Sequence, residues 1–324
     1  MVDKQDLAGR LFVGLVFAAA CSPSVSQADQ TGFAHVPSAN VQRSANGVLA
    51  LMSYSVVPDL TTSSLSISDA STGNPDISMS QVAGGFTLSD EFPLYMEGGA
   101  AFSRYDPTFV ASDGEEQRRI PTKWNCVAGS VGLGWDFSIF DELKFRPIAN
   151  FALGRVSSDL SVANAFIQFK LGTDRDIQFL EGGHLDAIGW GGAMMLDYEH
   201  YRAAYEIDVE LRYSAVHLQS YGNTSEAVQG HADSQTANLW ARWRAPTGLR
   251  ILRRPFRYVL EFTHSEFFGD QRGVLGFTNL TSLGAGIEFD TSSYPVIATR
   301  LRFVGRYVFG DNVSGTSLGI AISF

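Results

Sequence analysis

His264 and Ser265 are neighbours in the chain, and an imidazole within reach of a hydroxyl is the pairing that activates a nucleophile in many hydrolases. The residues around them alternate apolar and polar as in a strand. Adjacent strand residues point to opposite faces, so this pair is not expected to meet. The six histidines stand at 35, 184, 200, 217, 231 and 264, without HxH or HxxxH spacing. The nearest approach to a metal site is His217 and His231 with Glu226, flanking one loop, and a solvated loop is the simpler reading. Gly189-Trp190-Gly191-Gly192 and Gly284-Ala285-Gly286 lack the basic residue that a phosphate-cradling loop requires. The expectation is therefore no catalytic residue, no metal and no cofactor.

Charged rows of regular spacing are more informative. Glu206, Asp208, Glu210 and Arg212 alternate with Ile207, Val209, Leu211 and Tyr213. Arg300, Arg302 and Arg306 oppose Leu301, Phe303, Tyr307 and Phe309 in the same way. Each pattern describes a strand with one charged and one apolar face. The run after Glu206–Arg212 carries Arg242 and Arg244, and Glu288 lies on the run before the three arginines, so opposite charges should pair across neighbouring strands. Such rows suit two uses: tuning the ion selectivity of an aqueous channel, or cross-bracing a closed interior. The narrow or plugged interior is the preferred expectation.

Alternating charge and bulk is hard to place in a soluble core, with a soluble β-sandwich as the alternative, and this directs attention to the elements that would carry it. The chain of 324 residues is 45% hydrophobic and 18% charged, with 32 Gly and a formal net charge of −10. That balance lacks the basic face of a nucleic-acid binder. Lys4 and Arg10 precede an apolar run from Leu11 to Ala20, too short to span a bilayer as a helix, and Ser26-Gln27-Ala28 supplies the small residues of a signal-peptidase site. Residues 1–28 thus read as an export signal, with Cys21 in a looser lipoprotein-like box as the alternative. Removal of Cys21 leaves Cys126 alone, so no internal disulfide forms and Cys126 reads as packing.

After residue 28 no run reaches the roughly 18 apolar residues of a membrane helix. The other structure that satisfies every backbone polar group in lipid is a closed β-barrel, whose signature is alternating runs of about ten residues separated by turns. Twelve such runs are predicted: 47–57, 77–88, 92–104, 124–138, 143–156, 187–199, 202–218, 235–245, 256–268, 279–290, 296–309 and 313–324. The connections after even-numbered runs are mostly short (89–91, 200–201, 291–295), and those after odd-numbered runs mostly long (58–76, 105–123, 157–186, 219–234). Short turns on the periplasmic side and long outer loops are the pattern of outer-membrane barrels, and an even count returns both ends to the periplasm. The long connection 246–255 and the short one 310–312 break the alternation, leaving ten and fourteen strands as alternatives. The fold class expected is all-β, an antiparallel up-and-down transmembrane barrel spanning 47–324. Residues 29–46 form a segment in the periplasm or the lumen. Trp190, Tyr198, Tyr201, Tyr205, Trp243, Tyr258 and Tyr294 fall near strand ends, as interfacial girdles do. The apolar content of 157–186 predicts a helix, a hairpin or an inward fold.

Leu318, Ile320, Ile322 and Phe324 alternate on the last run and end the chain on an aromatic residue. This strand resembles the signal read by the barrel assembly machinery of Gram-negative bacteria. The chain from residue 47 onward resembles the translocator barrels of the autotransporter family, and most of all solitary autotransporter-like barrels without a passenger. That resemblance implies an integral outer-membrane location after Sec-type export. It implies partnership with outer-membrane lipids and with the assembly machinery. The family's secretion role is in doubt, because 29–46 leaves no room for a passenger. The expected function is a non-enzymatic structural or interaction barrel. The alternatives are a channel for small solutes or ions, and a lipid or peptide hydrolase.

Overall fold

A computed structural model of the chain describes residues 13–14, 52, 64–69, 74–106, 108–112, 117–121, 124–158, 184–222, 230–251, 254–273, 275–290, 300–311 and 313–323. One antiparallel sheet of fourteen strands dominates it, and twelve of these form the wall. They are β1 (Ser64–Asp69), β2 (Asn74–Thr87), β3 (Leu94–Asp106), β4 (Trp124–Trp135), β5 (Leu143–Ser158) and β6 (His184–Tyr201). The wall continues with β7 (Glu206–Ser220), β8 (His231–Ile251), β9 (Arg254–Gly269), β10 (Asn279–Asp290), β11 (Arg300–Gly310) and β12 (Val313–Ser323). Each strand pairs with the next, and β12 returns to β1 through Ser314–Ser68, Gly315–Ile67, Thr316–Ser66 and Ser317–Leu65. The ring is closed, so the wall has no free edge there to be satisfied by water. The two remaining strands of the sheet are Phe137–Phe140, which extends the β4–β5 turn, and Val13–Gly14, which pairs with Ile322 and Ala321.

The twelve strands match the expected count, with one correction. Strand 47–57 was expected to open the wall, yet its one described residue, Met52, is helical and buried inside the barrel. The opening strand is β1, in the stretch expected to be a loop. The physical reason is burial: Met52 packs against Trp124 and Cys126, and its sulfur would lie 2.8 Å from a Cβ at lumen-facing Gly154. Of the irregular connection 246–255, residues 246–251 and 254–255 are strand rather than turn. β8 and β9 pair down to Ile251–Arg254, with a register shift between Pro246 and Arg250. The turn after Gly310 is as short as expected. The expected loop 105–123 contains a hairpin, Thr108–Ser112 with Gln117–Pro121. Most of the apolar stretch 157–186, together with Tyr294, Glu226 and Phe324, lies outside the described residues.

The period-two pattern of the sequence becomes an inside-out distribution. Val127, Val131, Leu133, Phe151, Met194, Leu211, Leu260, Leu283, Tyr307 and Leu318 alternate along their strands and are exposed on the outside. Glu97, Arg146, Arg212, Arg242, Glu261, Glu288 and Arg306 lie between such residues and are buried inside. Leu318 is 70% exposed, whereas Glu288 is 2% exposed. A soluble protein has the opposite preference. No helix among the described residues is long and apolar enough to cross a membrane.

Candidate functional site: the lumen

The wall places its inward residues in two zones. Near the long-loop end the lining is apolar. Trp124, Cys126, Val156, Leu185, Val216 and Leu218 form one cluster around Met52. A second contains Ile77, Met79, Phe267, Val308 and Val313, and into it fold Leu275 and Phe277 from the β9–β10 loop. Gln271 of that loop is pinned to the wall by Ser234 Oγ, which donates to its Oε1 at 2.7 Å, and by its own donation to Thr236 Oγ1 at 2.9 Å. This loop therefore packs into the mouth.

Toward the short-turn end the lining is charged. Glu206 and Asp208 of β7 lie in register with Arg244 and Arg242 of β8. Arg244 Nη2 is 2.8 Å from Glu206 Oε2, and Arg242 Nε donates to Asp208 Oδ2 at 2.9 Å. Arg244 also donates past β9 to Glu288 Oε2 of β10 at 3.1 Å, and Glu288 accepts from Arg302 Nε of β11 at 3.1 Å. Arg306 donates from Nη2 to Glu261 Oε2 of β9 at 2.6 Å. Glu206 accepts from Arg300 Nη1 of β11 at 2.8 Å and from Arg257 of β9, so it ties β7 to three other strands. Glu210 faces the lumen opposite Asp197 and Trp240 and makes no ion pair among the described residues.

A further brace crosses more of the interior. Arg212 of β7 donates from both terminal nitrogens to the two carboxylate oxygens of Glu97 on β3, at 2.8 and 2.7 Å. Three strands separate these two along the wall, so the connection runs through the lumen. Asn150 Nδ2 donates to the same carboxylate at 2.7 Å. Room for it comes from Gly132 on β4, where a Cβ would stand 2.6 Å from Glu97 Cγ and 2.5 Å from Asn150 Nδ2. Gly85 serves the same end for Tyr95, whose hydroxyl would fall 2.1 Å from a Cβ there. Tyr95 in turn lies under Arg146, whose guanidinium carbon is 3.8 Å from the ring centroid. Arg146 binds Asp136 and, at 3.1 Å, Asp197. Bidentate geometry and several partners per carboxylate are what offset the loss of water around buried charges.

Sequence reasoning named Glu206, Asp208, Arg242, Arg244, Glu288 and Arg302 on neighbouring strands, and the structure brings all of them together. It did not anticipate Glu97, Asp136, Arg146, Asp197 or Glu261. Glu97 is followed on β3 by Gly98, Gly99, Ala100 and Ala101, with no charged row to mark it. Tyr201 is a correction. Its parity turns it inward, where its hydroxyl donates to Asp208 Oδ1 at 2.5 Å and is 2.7 Å from Glu199 Oε1, so it is no part of a girdle. Trp190 and Tyr205 are exposed, and Trp243 packs edge-on against Tyr258 at 5.0 Å. His264 meets Thr281 and Ser265 meets Asn238, on opposite faces of β9. His217 stacks with His231 at 5.8 Å and bonds Asp233. Among the described residues no group of three His, Cys, Asp or Glu is arranged to hold a metal. Leu318 and Ile320 share the outer face of β12, and the side chains of Ile322 and Phe324 lie outside the described residues.

Outside the strands, Glu142 gathers the short-turn end. It is 2.8 Å from His200 Nδ1 and accepts from Tyr198 at 3.1 Å and Arg202 at 2.8 Å. These bonds, that with His200 foremost, hold its carboxyl below the usual carboxylate range.

No family model matches this chain, and no curated protein matches it. Solved structures similar to it include outer-membrane translocator and transport barrels. One is the β domain of the Bordetella autotransporter BrkA, with 10% identity over 81% of this chain and 96% of that one and a TM-score of 0.46. Another is the transport unit of the Escherichia coli autotransporter AIDA-I, with 12% identity over 89% and 98% and a TM-score of 0.44. The P. putida toluene transporter TodX aligns at 10% identity over 80% and 86%, with a TM-score of 0.32. The chain is an antiparallel β-barrel of the outer-membrane type, and that conclusion rests on its own closed strand pairing and inside-out lining.

Proposed function

We propose that this protein is a non-enzymatic structural or interaction barrel of the outer membrane with a closed lumen. In this reading residues 1–28 direct Sec-type export, and the alternating residues Leu318, Ile320, Ile322 and Phe324 of the sequence are read by the barrel assembly machinery. Outer-membrane lipids cover the apolar exterior. The observation that carries the closed lumen is the Glu97–Arg212 pair, which joins β3 to β7 through the interior at 2.7 Å. Apolar packing around Met52 and the inward β9–β10 loop supports the same reading at the other end. Ion pairs of this density exchange hydration for fixed partners, and a conducting path needs the reverse.

Single-channel recording of the purified full chain in planar bilayers tests it. The closed barrel gives no steady ion-sized steps, and Arg212→Ser, which removes the brace, introduces them. Steady steps in the unmodified protein, with a selectivity altered by neutralising Arg302 and Arg306, would overturn the closed lumen in favour of a channel.

A further inference from the structure

The β8–β9 hairpin runs beyond its neighbours at the short-turn end. β7 makes its last pairing with β8 at Glu206–Arg244, and β9 makes its last with β10 at Phe256–Phe289. β8 and β9 nevertheless continue together to Ile251–Arg254. The projection is ordered by a bulge. Gly248 takes a left-handed φ of 77°, Thr247 Oγ1 donates to the Phe256 carbonyl at 2.9 Å, and the Leu249 amide donates back to Thr247 at 3.1 Å. The bulge leaves Leu249 64% exposed, with exposed Arg250 beside it. From Thr247 to Pro255 the sequence holds Arg250, Arg253 and Arg254 and no acidic residue, in a chain of net charge −10. Arg257, the next arginine, is already held by Glu206. Immediately above lie two aromatic pairs, Trp243–Tyr258 at 5.0 Å and Phe256–Phe289 at 6.1 Å. Such bands mark the membrane–water interface. A basic tip hung just beyond one is therefore level with lipid phosphates.

We infer that this hairpin binds the headgroups of anionic phospholipids in the leaflet at the short-turn end. Arg250 supplies donors to phosphate oxygens, in a stretch whose sequence also holds Arg253 and Arg254, and Leu249 enters the acyl boundary. An exposed leucine between the aromatic band and the arginines favours a lipid over a soluble polyanion, which offers nothing apolar. The inference rests on the membrane-barrel part of the function proposed above and not on the closed lumen.

Native mass spectrometry of the full chain, released from bilayers of equal phosphatidylglycerol and phosphatidylcholine, tests it. The unmodified protein should retain phosphatidylglycerol several-fold over phosphatidylcholine. Arg250→Gln/Arg254→Gln should bring that ratio close to one, and Leu249→Ser should lower it partway. Arg250→Lys, which keeps the charge, should keep most of the preference. Heat-dependent gel mobility verifies that each variant is a folded barrel. Equal retention by the unmodified protein, or an unchanged ratio in the double variant, overturns the inference. So does capture of soluble polyphosphate in preference to phosphatidylglycerol. Conductance is read separately, so a conducting barrel with an intact lipid preference would sink the closed lumen alone.

Discussion

The two halves of the lumen are lined by different chemistry. Near the long-loop end, Phe267, Leu275, Phe277 and Met52 fill space through packing, without orientation or partner choice. Near the short-turn end, Glu97, Arg212, Glu206, Arg244 and Glu288 fill it with directional pairs, several of which skip strands. Apolar filling tolerates repacking, whereas each buried charge depends on its own partner. The contrast implies that the charged half holds the ring and carries the proposed seal, while the apolar half packs the mouth.

Breaking one member of a buried pair has the largest expected effect. Glu97→Leu leaves Arg212 buried without its carboxylate and should cost about 3–5 kcal/mol, read from the urea midpoint of the reconstituted barrel. Glu97→Leu/Arg212→Met should recover most of that loss, because an apolar pair of similar size carries no unpaired charge. If the double variant is no better than the single one, the brace is not what holds β3 to β7. Phe267→Ala, in the other half, should cost about 3 kcal/mol through the cavity left beside Phe277 and Leu275. Its conductance should stay at baseline. Steps appearing in Phe267→Ala but absent from Arg212→Ser would move the seal to the apolar half.

Gly132→Ala probes the brace without removing a charge. The new methyl displaces Glu97 and Asn150, and the expected cost is about 1–3 kcal/mol. The smallest effect concerns pH at the short-turn rim. The carboxyl of Glu142 is depressed below its ordinary value of 4.5 in the folded chain. Its contribution is therefore present above that value and is lost as pH falls through the lower folded value. Glu142→Gln should flatten the decline in stability below about pH 4, measured by urea unfolding at a series of pH values. A decline as steep as that of the unmodified protein would assign it to the lumenal carboxylates instead.

Much of the wall was legible because a strand's faces follow from residue parity alone. Ile207 to Tyr213 and Leu301 to Phe309 declared their outer faces, and cross-strand pairs such as Asp208–Arg242 followed once neighbouring strands were aligned. The missed features have a common cause. Met52 lies in a run that alternates well enough for a strand, yet it is buried as helix among lumenal side chains. Tyr201 looks interfacial by position, and only its inward parity and its bond to Asp208 reveal otherwise. The residues at 246–255 were expected to be a connection, although a bulge carries the strand through to Ile251.

Period-two alternation and the spacing of turns were sufficient by themselves to determine a closed antiparallel barrel of about twelve strands, with its charged face inward. These are local properties, set by the geometry of successive residues. The tertiary structure alone decided that Glu97 meets Arg212, that Glu206 gathers three arginines, and that the β9–β10 loop enters the mouth. Those contacts depend on how far the sheet curls and shears as it closes. That curvature accumulates over many strands, and no stretch of sequence encodes it separately.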